Sequence, residues 1–379
     1  MKVEQGRWTP AKSWESESLG NLGETAQLVL LFGSTSTLKD QKILGRIKKT
    51  YPQAHLFGCS TAGEICDTQV SDDSLVVTAV SFDHTQLEGA QIKISEVENS
   101  YQVGERLAQS LDKNELSHVL VLSNGLKING SELVKGLTMH LPEKVAITGG
   151  LSGDGGKFEE TLVLLDDQPR KDTVAIMGLY GNRLKVGYGS FGGWDPFGPE
   201  RLVTKSKGNV LYELEGRSAL ELYKTYLGEH AQGLPATGLL FPLSLRTKEG
   251  ETGVVRTILS VSEKEQSMTF AGDVPEGAYV HLMKANFDRL IDGAVEAART
   301  SYQAIGSSSP DLAILISCVG RKMVLKQRIE EEVEGVREVL GDHTILTGFY
   351  SYGEISPSLP GSACKLHNQT MTITTLTER

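Results

Sequence analysis

The chain has 379 residues, 39% of them hydrophobic and 23% charged, the balance of an ordinary globular protein. With 48 acidic against 38 basic residues the formal charge is -10, and no Lys/Arg stripe offers a grip on phosphate backbones or an anionic bilayer, so nucleic acid is not an expected partner. No apolar run reaches membrane-spanning length and the N-terminus lacks the apolar core of a secretory signal, so the expectation is a cytoplasmic protein with no membrane insertion.

Read in chain order, AQLVLLFG (26–33) predicts a buried strand, LKDQKILGRIKKTY (38–51) a helix, AHLFGCST (54–61) a strand and SLVVTAVSF (74–82) another. The same strand-helix-strand-strand unit recurs as HVLVLSNG, SELVKGLTMHL, KVAITGGLSGDGG and ETLVLLDD, and again as LAILISCVG, KMVLKQRIEEEVEGVREVLG, TILTGFYSYGEI and QTMTITTL. Between the second and third copies the Gly/Pro cluster FGGWDPFGPE (191–200) marks a boundary. The expected architecture is α+β: two related lobes, 1–195 and 196–379, with mixed or antiparallel sheets covered by helices in αββα-like layers.

One phrase appears twice. HLFGCSTAGEIC (55–66) and TILTGFYSYGEISP (344–357) both carry a strand into Gly-Glu-Ile, at Gly63-Glu64-Ile65 and Gly353-Glu354-Ile355. Glycine supplies the turn; the following carboxylate can accept backbone N–H bonds and lock that turn, or point into a cleft and hold a ligand. Catalytic signatures are weak. Ser60 does not fit the G-x-S-x-G elbow, and GGLSGDGG (149–156) lacks the lysine-serine ending of a phosphate loop, so it reads as a plain turn. The four cysteines, Cys59, Cys66, Cys318 and Cys364, form neither a zinc spacing nor CxxC and read as free thiols. Strand alternation puts His367 on one face with Gln369, Met371 and Ile373, and His281 on one face with Tyr279 and Met283; each imidazole reads first as a satisfied core histidine.

GCSTAGEI (58–65), LPAT and FPLSL (234–245), GDVPEGAYVHLMKAN (272–286), SCVGRKMVL (317–325), GFYSYGEISP (348–357) and LHNQTMTITTL (366–376) together resemble the FIST family, with its paired FIST N and FIST C domains. The resemblance spans roughly 25–376 and implies a non-catalytic sensory module for small ligands. The chain also resembles the nitric-oxide-sensing haemoproteins of that family, the NosP group. That implies haem b as cofactor, nitric oxide as ligand and a separate histidine kinase as partner, with homo-oligomerisation left open. On this reading TILTGFYSYGEI and LHNQTMTITTL are neighbouring antiparallel strands joined through Pro357, Pro360 and Gly361. His367 is the axial iron ligand, Tyr350 and Tyr352 wall the pocket, and Gly353 turns the chain so that Glu354 reaches His367 or the ligand; His281 is the alternative metal ligand. Two other readings stay open: a small-metabolite or amino-acid sensor without haem using Glu354 and the tyrosines, and a thiol-based redox protein or enzyme using Cys318 or Cys59.

Overall fold

The computed structural model of the chain describes residues 1–15, 19–246, 253–306, 309–359 and 361–379, so Pro360 lies outside the described residues. The first repeat forms as its pattern requires. Leu28–Gly33 is buried along its whole length, and a strand covered on both faces needs a continuous apolar run. His55–Ser60 lies parallel to it and Leu75–Ser81 antiparallel on its other side. A parallel pair needs a crossover, here the helix Gln41–Thr50, which the Asp40 carboxylate caps at the amides of Lys42 and Ile43 and which buries Ile43, Leu44 and Ile47.

The second repeat pairs Leu116–Ser123 parallel to Ala146–Leu151 and antiparallel to Thr173–Tyr180; the third pairs Leu312–Cys318 parallel to Ile345–Ser351 and antiparallel to Met371–Glu378. Equivalent backbone bonds fix the correspondence: the amides of Ser34, Asn124 and Cys318 donate to the carbonyls of Ser74, Thr173 and Thr370 at 3.1, 3.0 and 3.1 Å. The repeat is therefore present three times, with one correction. In the second copy ETLVLLDD is not the returning strand, which is Thr173–Tyr180; it supplies instead a short arm, Val163–Leu165.

Such arms bind the repeats cyclically. Val163–Leu165 of the second repeat pairs with His55–Ser60 of the first, Glu64–Cys66 of the first with Ile345–Ser351 of the third, and Gly353–Pro357 of the third with Ala146–Leu151 of the second. The strand each arm joins carries a glycine in register with the arm: Gly58 opposite Leu164, Gly348 opposite Ile65, Gly149 opposite Ile355. A Cβ at any of the three would run into the carbonyl of the parallel neighbour, at Leu31, Leu315 and Val121 respectively.

The three mixed sheets turn one face toward each other. Between them Leu30, Phe32, Leu120, Met177, Ile316 and Phe349 form a closed core, with the rings of Phe32 and Phe349 4.8 Å apart. Helices, among them Gly130–His140, Phe287–Ile305 and Ile329–Leu340, cover the outer faces. A fourth, antiparallel sheet starts at the Gly/Pro cluster with the long strand Trp194–Lys207, ends with Tyr279–Ala285, and has its own core around Leu211, Tyr223 and Phe270. The expected α+β class with mixed or antiparallel sheets and helical cover is met, and two of the four sheets draw strands from both sides of residue 195.

Candidate functional site

The two Gly-Glu-Ile phrases leave their strands in the same way. Glu64 accepts bonds from the Thr61 hydroxyl, from Ser74 N at 3.1 Å and from Ser74 Oγ at 2.7 Å. Glu354 accepts from Ser351 Oγ at 2.6 Å, from Thr370 N at 3.2 Å and from Thr370 Oγ1 at 3.0 Å. Each carboxylate thus ties its arm turn to the residue just before its own returning strand. Both are buried, and burial pushes Glu64 up to about 7 and Glu354 up to about 8 against the hydrogen bonds that pull the other way. In the second repeat Val163 holds the equivalent register position, opposite Cys59 as Glu64 is opposite Phe349 and Glu354 opposite Gly150. The matching hydroxyl, Thr173 Oγ1, is buried without a partner among the described residues.

The residues singled out from the sequence are dispersed by these bonds. Tyr350 donates at 2.7 Å to Glu332, which forms a fully buried ion pair with Arg321 at 2.7 Å. Tyr352 points the other way, bonding the Asp154 carboxylate and stacking on Phe158 at 4.4 Å. Gly353 opens the arm strand, and Glu354 bonds Ser351 and Thr370, not His367. His367 is buried with Nε2 bonded to Ser356 O at 2.9 Å, and burial pushes it down to about 4, so it is neutral. His281, on the strand Tyr279–Ala285, bonds through Nε2 to Gly198 O of the adjacent strand Trp194–Lys207.

An iron porphyrin needs an imidazole nitrogen facing an apolar cleft. Neither His367 nor His281 lines any of the cavities described, and the Nε2 of each is bonded to a backbone carbonyl, so these residues do not fit haem in this conformation. Among the described residues, no group of three or more His, Cys, Asp or Glu is placed to hold a metal ion. Cys59 and Cys318 are buried, which pushes both thiols well up and keeps them protonated, the opposite of a reactive thiolate.

A cleft of about 620 Å³ lies instead at the arm turn of the first repeat. One wall is the strand exit Ser34-Thr35-Ser36 with Lys39; the second is Thr61–Glu64. Asp72 and Asp73 form the third, and the long arm loop of the second repeat closes the fourth with Asp154, Lys157 and Glu160. Its charges are set by fixed partners. Glu160 pairs with Lys171 and Lys39, which hold it below its ordinary value. Burial opposes ionisation of Asp154, but the amides of Glu160, Glu159 and Phe158 and the Tyr352 hydroxyl hold it low. Lys322 of the third repeat reaches in to Asp72 and to Ala62 O.

The equivalent places in the other repeats are filled. Asn368 and Gln369 stand where Asp72 and Asp73 do, Gln369 and Asp73 sharing positive φ of 64° and 56°. There the fourth sheet is docked: Thr257 N donates to Asn368 Oδ1, Gln369 Nε2 to Leu239 O and Trp194 Nε1 to Gln369 O. In the second repeat the Tyr352 ring lies against Gly125. Sequence reading missed the open cleft because its walls come from four separate segments. The run Ser34–Thr37, the pair Asp72-Asp73 and the GDGGK turn were its available signals; in the last, Gly153 and Gly155 donate to Ser60 O and Thr61 O and hold the loop on the first repeat.

The chain is similar to the uncharacterized protein MJ1623 of Methanocaldococcus jannaschii, 23% identical over 384 residues, covering 88% of this chain and 70% of that one. Among solved structures, a cyanuric acid hydrolase from A. caulinodans matches over 100% of this chain and 99% of its own at 8% identity, with a TM-score of 0.36, a likeness too low to carry any argument about chemistry. The FIST N domain model matches residues 27–217 and the FIST C domain model residues 219–357, and FIST domains are in general sensory modules that bind small ligands. The chain belongs to the FIST family.

Proposed function

We propose that the protein is a small-ligand sensor whose ligand, a zwitterionic metabolite of amino-acid size, binds in the first-repeat cleft. The observation that carries this reading is the cleft itself: about 620 Å³, lined by hydroxyls and by charges of both signs, at the one arm turn of the three that, among the described residues, is covered neither by an aromatic ring nor by the fourth sheet. Lys39 and Lys157 suit a carboxylate, Asp72 and Asp73 suit an ammonium, and the hydroxyls of Ser34, Thr35 and Ser36 suit either. Because two repeats meet across the cleft, a ligand that bridges them would change how the second repeat's arm loop sits on the first. A separate histidine kinase is the proposed receiver of that change.

The test is a thermal-shift screen of single α-amino acids against the wild type and Asp73→Asn. Asparagine tolerates the positive φ at this position, so the variant keeps its backbone and loses one charge. The reading expects at least one amino acid to raise the wild-type Tm and to lose most of that effect in Asp73→Asn; an unchanged effect in the variant would remove the cleft from the account.

A further inference from the structure

A second cavity, of about 270 Å³, lies where the fourth sheet meets the core, remote in the fold from the cleft above. Three elements build it: Arg256 at the end of the strand Val254–Arg256, Ser131 and Lys135 on the helix Gly130–His140, and Lys365 and Leu366 on the strand Cys364–His367. Arg256 is only 7% exposed. Its Nε donates to Asp273 O at 3.0 Å, and its Nη1 to Leu366 O at 3.0 Å and Val255 O at 3.3 Å. Nη2 is different: among the described residues its hydrogen bond is a 3.5 Å contact with Ser131 Oγ, and the carboxylate that acts on the guanidinium, Asp273, does so without forming an ion pair with it.

A buried guanidinium without an ion-paired carboxylate is costly unless another anion completes it. Burial pushes Arg256 down to about 10, so it stays charged at neutral pH. The fold also leaves room for it. A Cβ on Gly272 would lie 2.8 Å from Ser131 Oγ and 2.9 Å from the guanidinium carbon, so only glycine lets those two groups stand side by side. The facing charges are Lys135, paired at 3.6 Å with Glu132, Lys365 at the rim, and Asp273, whose carboxylate is held by Asn129 Nδ2 at 2.9 Å. Ser131 is in the first turn of an eleven-residue helix, where the backbone dipole favours negative charge.

We propose that this cavity binds a small oxyanion, the phosphate or carboxylate group of a metabolite, between Arg256 Nη2 and Ser131 Oγ. Val134, Met139 and Leu366 offer an apolar wall to the rest of such a ligand. Because the anion joins the fourth sheet to the second and third repeats, its binding fixes that sheet on the core.

The experiment is calorimetric titration of the full chain with inorganic phosphate and with acetate, at ionic strength held constant with chloride. Wild type, Arg256→Lys and Lys135→Glu are compared. Phosphate is expected to bind, with affinity reduced about tenfold in Arg256→Lys, since lysine lacks the planar fork of donors. Lys135→Glu, at an exposed position that leaves folding intact, is expected to weaken binding several-fold, and it decides the matter if Arg256→Lys does not fold. Binding of phosphate alone marks a phosphoryl group as the ligand's anion; binding of acetate as well admits carboxylates. No response to either anion at tens of millimolar, or equal binding by wild type and both variants, overturns the proposal.

Discussion

Glu354 and His367 are register partners across the antiparallel strands Gly353–Pro357 and Cys364–His367, yet their side chains bond to different groups. The carboxylate takes Ser351 and Thr370, and the imidazole takes Ser356 O. Adjacency in a sheet does not make a pair when the turn next to it offers better-placed donors, and both groups here complete the fold.

Those buried carboxylates make stability depend on pH. Glu64 and Glu354 keep their protons up to about 7 and about 8, against an ordinary 4.5, so between those limits the native state binds more protons than the unfolded chain. Their contribution is complete below about pH 4.5 and is lost as pH rises through about 7 and about 8. Thermal melts of wild type and of the Glu64→Gln/Glu354→Gln double variant, from pH 5 to pH 8.5, should show the wild type losing on the order of 5–7 kcal/mol more than the variant.

The threefold correspondence predicts opposite outcomes at equivalent hydroxyls. Thr370→Val leaves Glu354 short of a donor and should destabilise by about 1–3 kcal/mol. Thr173→Val removes a buried hydroxyl with no partner among the described residues and should be neutral or stabilising by about 1 kcal/mol. Urea denaturation of the two variants gives the comparison.

Arg321 joins three parts of the chain. Besides its ion pair with Glu332 it donates to Gly192 O and to Leu290 O at 2.5 and 2.6 Å, and neither member of the pair is exposed. Arg321→Ala should cost about 3–5 kcal/mol, because it strands a buried carboxylate. Tyr350→Phe, which removes only one donor to that carboxylate, should cost about 1–3 kcal/mol by the same assay.

Hemin separates the haem b reading from the cleft reading. With the Nε2 of both His367 and His281 bonded to backbone carbonyls, added hemin should give no Soret band that depends on either. A band present in wild type and in His281→Ala but absent in a folded His367→Ala would restore the iron assignment.

Much of this fold was legible because its repeats obey simple periodicities. Leu28–Gly33 and the stretch 312–316 of Leu312–Cys318 are continuous apolar runs, and the 3.6-residue spacing marks Gln41–Thr50. The arm exchange was not legible, since Val163–Leu165 is as apolar as a core strand and pairing partners far apart in sequence leave no local signal. Of the site, the Gly-Glu-Ile turns were visible and their locking role was one of the two roles the residues allowed. The cleft was not, because Ser34, Asp72 and Lys157 become neighbours only after the arm of the second repeat docks on the first.

The most direct test of the cleft is hydrogen-deuterium exchange on the chain with and without the α-amino acid that most raises its Tm. The account predicts slowed exchange at 34–39, 61–64, 72–73 and 154–160, with the hairpin 350–367 unchanged. Protection confined to 350–367, or none at the four cleft segments, would contradict it.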